Sequence, residues 1–267
     1  MKDSDTVSIF NFLYVEIPKN VYMSVKDLNV YSTVQRKAMD GLSMFSEYNL
    51  TLFDDQFCYN LLEEYPQYSF VKEFTIGVMK SDLCRYLIIY HYGGIYIDSD
   101  AVMKLNPLEW VFGNNAKKRN GTSVEFIVGL EALPMDTYPQ YGFCGPFQIV
   151  QWTFASKPKH PILLFALEEI KWNFENKREE FEMWSRAVGL TGPCVMTHAI
   201  KSHFFNNSID LLQIENAPVI VGNLYVGPVN QFNCGSSFNG KSYPCNQYTA
   251  IHHLYAGSWK SEKIKIF

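Results

Sequence analysis

The chain has 267 residues and a formal net charge of −4, and its lack of a dense basic run argues against a nucleic-acid partner. Hydrophobic residues make up 47% of the sequence and charged residues 19%, which suffices for one large domain or two small ones. No segment approaches the roughly 18 consecutive apolar residues of a membrane span, so we expect no transmembrane segment. The polar stretch from Met1 to Asp5 lacks the layout of a signal peptide, and we therefore expect a cytoplasmic protein.

The first third of the chain contains two predicted helices. Residues 7–15 are a plausible first segment and lead into Ile17-Pro18-Lys19. Helices are predicted over residues 31–47 and 56–64, and the second of them ends before Pro66 because proline does not continue a helix.

Residues 79–97 are predicted to form a helix followed by a short strand. Leu83, Leu87 and Tyr90 recur at helical spacing and form one apolar face. Asp82 and Arg85 lie one turn apart beside that face and can pair with each other. Gly93-Gly94 ends the helix, since glycine adopts the left-handed backbone without strain, and the apolar strand 95–97 follows.

Two carboxylates, Asp98 and Asp100, follow this strand. Alternation along the strand places Tyr96, Asp98 and Asp100 on one face, so both acids can point to one place. Such an oxygen-rich site suits Mg²⁺ or Mn²⁺ that holds a diphosphate. The simpler interpretation is a solvated Asp-Ser-Asp turn.

The second half of the sequence alternates predicted strands and helices. The expected elements are a strand at 124–130 with Glu131 at its end, a loop at 134–146, a helix at 161–181, a helix beginning at 191–193, a mobile loop at 230–247 and a final strand at 249–254. This alternation predicts an α/β fold with a mixed, mostly parallel sheet. Ligands of such sheets lie at the carboxyl ends of the strands, where Asp98 and Asp100 fall.

The six cysteines show no C-x-x-C spacing. Cys234 and Cys245 flank a loop rich in Gly, Ser and Asn and could pair in an oxidising compartment. We expect free thiols.

Four blocks of the sequence resemble glycosyltransferase family 32, in the order in which that family has them. The blocks are residues 81–100 (SDLCRYLIIYHYGGIYIDSD), 151–161 (QWTFASKPKHP), 191–197 (TGPCVMT) and 253–260 (HLYAGSWK). The resemblance implies a Rossmann-related, GT-A-like fold and one glycosyltransferase domain over residues 1–267. Residues up to about 112 would form the nucleotide-sugar half, and the remainder would contact the donor sugar and the acceptor.

The resemblance also implies roles at a metal site. Asp100 would bind Mn²⁺ (or Mg²⁺) directly, and Asp98 would contact the metal or donor hydroxyls. His253 would be a third metal ligand or a phosphate contact, although a core or surface histidine is the simpler interpretation. Asp82 and Arg85 match the family pair that holds sugar hydroxyls, against the alternative of an ordinary salt bridge within the helix.

Further residues are implied to contact the donor. Gln151 would lie near the anomeric carbon, although its chemical role stays open. Trp259 and Lys260 would close over the diphosphate, unless Trp259 is a plain core residue. The resemblance also places Tyr22, Gly94 and Tyr96 in the donor-binding region, with Tyr22 where the family usually has His.

The sequence therefore predicts a metal-dependent, retaining glycosyltransferase that transfers a hexose to a glycan or another hydroxyl acceptor. The sugar-nucleotide donor would be GDP-mannose in the first instance, or a UDP-hexose. One alternative is a non-catalytic module that binds sugar nucleotides or glycans. Another is a haloacid-dehalogenase-type phosphatase, whose first motif fits residues 97–102 but whose downstream acidic pair is missing from the sequence.

Overall fold

The computed structural model describes residues 14–15, 17–112, 123–133, 143–205, 217–238 and 241–256. Its α-helices are α1 (Thr33–Ser43), α2 (Asp55–Leu61), α3 (Gly77–Tyr92), α4 (Pro107–Phe112), α5 (Pro161–Asn176), α6 (Ala187–Leu190), α7 (Pro193–Phe205) and α8 (Val229–Phe232). Short 3-10 helices occupy Pro66–Glu73, Arg178–Glu182 and Trp184–Arg186. The strands are β1 (Tyr14–Val15), β2 (Asn20–Ser24), β3 (Asn49–Phe53), β4 (Gly94–Ile97), β5 (Ala101–Met103), β6 (Ser123–Val124), β7 (Phe126–Ala132), β8 (Gln148–Ile149), β9 (Thr153–Ser156), β10 (Val219–Val221), β11 (Leu224–Gly227), β12 (Ser237–Phe238), β13 (Lys241–Ser242) and β14 (Ile251–His253).

Eight of these strands form the central sheet. The order is β10-β11-β7-β9-β4-β2-β3, with β8 paired to β7. Strands β3, β2 and β4 run parallel to one another, and β7 runs parallel to β11. Because β9 lies between these two groups and is antiparallel to both of its neighbours, the two groups point the same way. The prediction of an α/β fold with a mixed, mostly parallel sheet is therefore confirmed.

Helices cover both faces of this sheet. Phe126 of β7 stacks on Phe154 of β9 with ring centroids 6.1 Å apart, and Tyr86 of α3 lies 5.9 Å from Phe154. Gly129 is three residues after Phe126 and thus faces the other side of the strand. There Phe232 of α8 occupies the space where a Cβ at Gly129 would stand. Helices α3 and α8 therefore lie on opposite faces.

Several element boundaries differ from the predicted ones for local reasons. Helix α1 begins at Thr33 because Ser32 caps it, accepting from the amide of Gln35 while the Gln35 side chain accepts from the amide of Ser32. The predicted helix 161–181 ends at Asn176, and the 3-10 helix Arg178–Glu182 follows it. Residues 134–142 of the predicted loop lie outside the described residues.

The segment 230–247, predicted as a mobile loop, contains ordered elements. It includes most of α8 and the paired strands β12 and β13, and the disulfide between Cys234 and Cys245 closes it. The loop prediction was wrong for these parts because a short hairpin and a disulfide leave little apolar periodicity in the sequence.

Both glycines between α3 and β4 are required by their surroundings. Gly93 has φ of 66° and ends α3, and a Cβ there would lie 2.8 Å from the backbone nitrogen of Pro158. Gly94 has φ of 105°, and a Cβ there would lie 2.5 Å from the backbone oxygen of Asn20. The chain therefore passes from helix to strand where no larger residue fits.

All six cysteines are paired, which makes the expectation of free thiols wrong. The disulfides are Cys58–Cys84, Cys144–Cys194 and Cys234–Cys245. The first joins α2 to α3, and the second joins the start of α7 to the chain before β8. Because disulfides persist in oxidising compartments and are rare in the cytosol, they argue against the cytoplasmic location expected from the sequence.

We predict that the long disulfide loops stabilise the fold more than the short one. Cys144–Cys194 spans 50 residues and Cys234–Cys245 spans 11. From the loop-closure entropy of the unfolded chain, we expect replacing the first pair by alanine to cost about 4 kcal/mol of unfolding free energy. The same change at the second pair should cost about 3 kcal/mol. Equilibrium denaturation in guanidinium measures both values.

A thiol count supplies the control for this prediction. The unfolded, unreduced protein should not react with a thiol reagent, and the reduced protein should react at six cysteines. Reaction of six thiols without reductant would contradict the pairing.

Candidate active site

The Asp98-Ser99-Asp100 turn connects β4 to β5 at one edge of the sheet. The amide of Asp98 donates to the backbone oxygen of Trp152 at 2.7 Å, which continues the pairing of β4 with β9 by one step. The amide of Ala101 donates to the backbone oxygen of Asp98 at 3.0 Å and closes the turn. Asp98 therefore lies at the carboxyl end of β4, as the sequence predicts.

A second, two-stranded sheet brings the last described strand to this turn. Strand β14 pairs antiparallel with β5, with His253 opposite Ala101. The amide of Leu254 donates to the backbone oxygen of Asp100 at 2.8 Å, and the amide of Ala256 donates to its Oδ2 at 2.9 Å. His253 Nε2 lies 3.3 Å from Asp100 Oδ1. Three residues, His253, Leu254 and Ala256, thus hold Asp100 in place.

Asp98, Asp100 and His253 form one cluster. Each offers one ligand atom, and these atoms lie within 4.8 Å of one another. Two carboxylates and an imidazole are a donor set that Mn²⁺ accepts readily and Mg²⁺ accepts less well, so the residues present fit a divalent cation. The sequence predicted this group, and the structure brings its members together.

The two carboxyls of the cluster differ in electrostatic environment. Burial raises the pKa of Asp98, and the neighbouring Arg85 charge opposes this rise. Burial also acts to raise the pKa of Asp100, but the hydrogen bond and charge of His253, with the amide of Ala256, bring it below its usual value. Asp100 is therefore ionised at neutral pH and is the stronger candidate for a direct metal ligand.

Arg85 joins the two carboxylates Asp82 and Asp98. Its guanidinium lies 3.0 Å from Asp82 Oδ1 and 3.2 Å from Asp98 Oδ1, and it stacks 4.6 Å from the centre of the Tyr96 ring. The Tyr96 hydroxyl also donates to Asp98. Arg85 is only 5% exposed, so the predicted pair is a buried bridge and not a pair on a helix surface.

Arg85 makes three hydrogen bonds and two ion pairs with protein groups. Besides the two carboxylates, Nε donates to the backbone oxygen of Ser81 at 3.4 Å and one terminal nitrogen to Ser81 Oγ at 3.4 Å. The other terminal nitrogen donates to the backbone oxygen of Gln151 at 3.3 Å. Since a guanidinium has five N–H donors in a fixed fork, this arrangement fixes Arg85 and its partners together.

Asp82 is surrounded by hydrogen-bond donors. Thr191 Oγ1 donates to its Oδ2 at 2.8 Å, and Gln151 Nε2 donates to its Oδ1 at 3.1 Å. Burial raises the pKa of Asp82 to about 6, and the charge of Arg85 and these hydrogen bonds keep the carboxylate largely ionised at neutral pH. Gln151 Nε2 also donates to the backbone oxygen of Thr191 at 3.3 Å. The side chain of Gln151, a site residue predicted from the sequence, thus contacts Asp82.

The structure does not bring every predicted site residue to this cluster. Tyr22 is 6% exposed and stacks on Tyr92 at the far end of α3, with ring centroids 5.8 Å apart. Gly94 begins β4, three residues before its carboxyl end, where it packs against Asn20. Trp259 and Lys260 lie outside the described residues.

Three residues near the cluster had no role assigned from the sequence. Thr191 was part of a block that resembles the family, and only the fold shows that its hydroxyl reaches Asp82. Trp152 packs on the His253 ring with centroids 4.5 Å apart, and Tyr255 packs on the same ring at 4.3 Å. Single tryptophans and tyrosines carry no periodic signal, so the sequence could not separate them from core residues.

Comparison with known protein families agrees with this geometry. Residues 25–117 match the family described as glycosyltransferase sugar-binding region containing DXD motif. The matched segment resembles a DXD glycosyltransferase region. Asp98-Ser99-Asp100 is its DXD motif, and α3 with Asp82 and Arg85 lies in the same region. The predicted family resemblance is confirmed, and the match gives no support to the phosphatase alternative.

Similar curated proteins are fungal glycosyltransferases. The initiation-specific alpha-1,6-mannosyltransferase of Schizosaccharomyces pombe is 29% identical over 70% of this chain and 48% of its own length. The corresponding protein of Candida albicans is 24% identical over 70% of this chain and 55% of its own length. A mannosyl phosphorylinositol ceramide synthase of Saccharomyces cerevisiae is 24% identical over 68% of this chain and 41% of its own length. The chain thus spans about half the length of these relatives.

A solved glycosyltransferase structure has the same fold. PaToxG glycosyltransferase aligns with a TM-score of 0.51 and 15% identity, and the alignment covers 71% of each chain. At this identity the likeness concerns the fold alone, and it agrees with the GT-A-like prediction. Among the residues that the structure describes, no helix is long and apolar enough to cross a membrane.

We predict that replacing Arg85 by methionine destabilises the protein by about 3–5 kcal/mol, because it leaves Asp82 buried without its counter-charge. The double variant Arg85→Met with Asp82→Asn should lose less than the sum of the two single losses, since the uncompensated charge is then absent. Urea unfolding of the four proteins measures this coupling. Arg36→Met on the exposed face of α1 is the matched control and should change stability by at most about 0.5 kcal/mol. A loss below about 1 kcal/mol for Arg85→Met would contradict the buried bridge.

Proposed function

We propose that this chain is a metal-dependent glycosyltransferase that moves a mannosyl group from a sugar nucleotide to a hydroxyl of a glycan acceptor. The observation that carries the proposal is the cluster of Asp98, Asp100 and His253 at the sheet edge, inside and beside the DXD region. The fungal mannosyltransferase relatives make GDP-mannose the first donor to test, with UDP-hexoses next. Retention at the anomeric carbon is part of the proposal and rests on the family resemblance.

Asp100, His253 and Asp98 would hold the divalent cation. When bound, the cation supplies positive charge that stabilises the departing nucleoside diphosphate. Asp100 suits the direct position because it is ionised and held by the amide of Ala256 at 2.9 Å. Asp98 is tied to Arg85 and Tyr96, so its orientation is set from the α3 side.

Asp82 is the residue of the α3 pair that we assign to the donor sugar. An ionised carboxylate has about four acceptor positions, and Arg85, Thr191 and Gln151 use three of those of Asp82. About one position remains for a sugar hydroxyl. Arg85 is buried and already makes three hydrogen bonds and two ion pairs with protein groups, so we assign it a positioning role for Asp82 and Asp98. Gln151 would likewise orient Asp82 beside the anomeric carbon.

We predict that donor turnover requires a divalent cation. The measured reaction is the release of GDP from GDP-mannose with a mannoside acceptor. Treatment with EDTA should lower the rate by about 10² or more, because the diphosphate then leaves without charge compensation. Mn²⁺ should restore the rate better than Mg²⁺, since imidazole is a better ligand for Mn²⁺. Full activity after exhaustive chelation would refute the metal dependence.

We also predict that Asp100→Asn lowers turnover by at least about 10² at saturating Mn²⁺, while the protein stays folded. Asparagine keeps one acceptor oxygen but removes the negative charge that favours a cation. Stability should fall slightly, by about 1–2 kcal/mol, because the ionised side chain accepts hydrogen bonds from His253 and the amide of Ala256. Turnover and a thermal melt are measured side by side.

Asp40→Asn on the exposed face of α1 is the control for this substitution. It removes the same charge far from the cluster in sequence and should leave turnover unchanged. An Asp100→Asn protein that retains more than about a tenth of wild-type turnover would show that Asp100 is not the metal ligand. Calorimetry with GDP-mannose and Mn²⁺ measures donor binding, and the GDP assay measures turnover. A non-catalytic binding module would bind the donor without releasing GDP, whereas a transferase would do both.

A further inference from the structure

Glu131 lies at the same sheet edge as the metal cluster, two strands away from Asp98. It is the second-last residue of β7, and β9 separates β7 from β4. The order β7-β9-β4 puts a single strand between these two strand ends. The register of β7 with β8 shifts between Leu130 and Ala132, so Glu131 lies in a β-bulge. Bulges often re-aim a side chain next to an active site.

The carboxyl of Glu131 is only partly used by the protein. Gln148 Nε2 donates to its Oε2 at 2.7 Å. Within the described part of the chain, its other oxygen has no hydrogen-bond partner. The residue is half-buried, and burial raises its pKa to about 7, although the hydrogen bond from Gln148 acts in the opposite direction. A carboxyl in this state can both accept and donate a hydrogen bond at neutral pH.

A chain of contacts connects Glu131 with the metal cluster. Asn233 Nδ2 donates to the backbone oxygen of Glu131 at 2.7 Å, and the hydroxyl of Tyr255 donates to Asn233 Oδ1. The Tyr255 ring packs on His253, which in turn contacts Asp100. These contacts reach the cluster at His253, whereas the Asp82–Arg85 bridge reaches it at Asp98. Asn233 directly follows α8, on the face of the sheet opposite α3.

Tyr255 has an unusual conformation for an exposed aromatic residue. Its φ is 49°, in the left-handed region that residues other than glycine rarely adopt, and its side chain is 53% exposed. The amide of Tyr255 donates to His253 Nδ1 at 3.2 Å, and its hydroxyl is fixed by Asn233. Such backbone strain is concentrated at functional sites. Tyr255 is thus an exposed aromatic residue held beside the cluster.

We propose that Glu131 and Tyr255, held in place by the buried Gln148 and Asn233, form the binding site for the acceptor, a neutral ring that carries several hydroxyls. This acceptor site rests on the proposed glycosyltransferase function. The carboxyl oxygen of Glu131 that Gln148 does not contact accepts a hydrogen bond from the acceptor hydroxyl, and the ring of Tyr255 covers the apolar face of the sugar or inositol ring. The donor sugar then lies on the Asp82 side of the metal cluster and the acceptor on the Glu131 side. Glu131 is an acceptor-binding residue in this proposal.

The test compares acceptor-dependent and acceptor-independent reactions. Release of GDP from GDP-mannose with Mn²⁺ is measured without acceptor and with methyl α-mannoside, methyl α-glucoside or myo-inositol. We expect Glu131→Gln and Tyr255→Ala to raise the KM for the acceptor by about tenfold or more. For Glu131→Gln, hydrolysis without acceptor and the KM for GDP-mannose should change by less than about twofold, because the donor contacts are intact.

Two matched controls belong to this experiment. Glu125→Gln removes a carboxyl at the opposite end of the same strand, where Glu125 pairs with Lys157. Tyr248→Ala removes another exposed tyrosine, 42% exposed, from the same part of the chain. Neither should change the acceptor KM. Equal loss of hydrolysis and transfer in Glu131→Gln, or no change in either, would overturn the acceptor site.

A binding measurement separates this proposal from the proposed function. Saturation-transfer NMR detects the three acceptor probes on the protein with GDP and Mn²⁺, without any turnover. Binding by the wild type that Glu131→Gln weakens supports the acceptor site even where no GDP is released from GDP-mannose. Absence of binding for all three probes, or equal binding to both proteins, refutes it. Failure of turnover with intact probe binding instead counts against the choice of donor.

Discussion

The buried guanidinium of Arg85 holds the candidate site together. It contacts Asp82 on its own helix, Asp98 at the end of β4 and the backbone of Gln151 before β9. Three separate parts of the chain are thereby fixed around one positive charge. The buried carboxylate of Asp82 and the half-buried carboxylate of Asp98 can lie close to each other because this charge lies between them, since an isolated buried carboxylate is costly.

The fold adds steric and covalent support to the contacts that the Arg85 charge makes. The paired glycines let α3 pass directly into β4, which sets the distance between Asp82 and Asp98. The disulfide of Cys84 with Cys58 joins α3 to α2 between the two charged residues of the bridge. Thr191 and Gln151 then donate hydrogen bonds to Asp82 from two further segments of the chain. The Asp82–Arg85–Asp98 bridge is therefore held by a disulfide and by close backbone packing as well as by charge.

The parts of this site that the sequence predicted are those that depend on local spacing. The apolar strand before Asp98 and the helical spacing of Asp82 and Arg85 fix their geometry within a few residues. Burial of that pair could not be predicted, because it results from packing of α3 against α5 and β9, which are far along the chain.

The disulfides were missed because the spacing of Cys58 and Cys84, or of Cys144 and Cys194, carries no local pattern in the sequence. Glu131 was recognised as a strand end, but the bulge that re-aims it appears only when β8 pairs with β7.

The position of His253 has a consequence for synthesis of the protein on the ribosome. Every strand of the central sheet lies before residue 228, and the DXD turn is made long before that. His253 and the amide that holds Asp100 belong to residues 251–256, which are synthesised after every strand of the central sheet. A nascent chain can therefore complete its sheet and its Asp82–Arg85 bridge while β5 still lacks a partner. A chain that stops before residue 251 would keep the sheet and the Asp82–Arg85 bridge but would lack the third member of the Asp98–Asp100–His253 cluster.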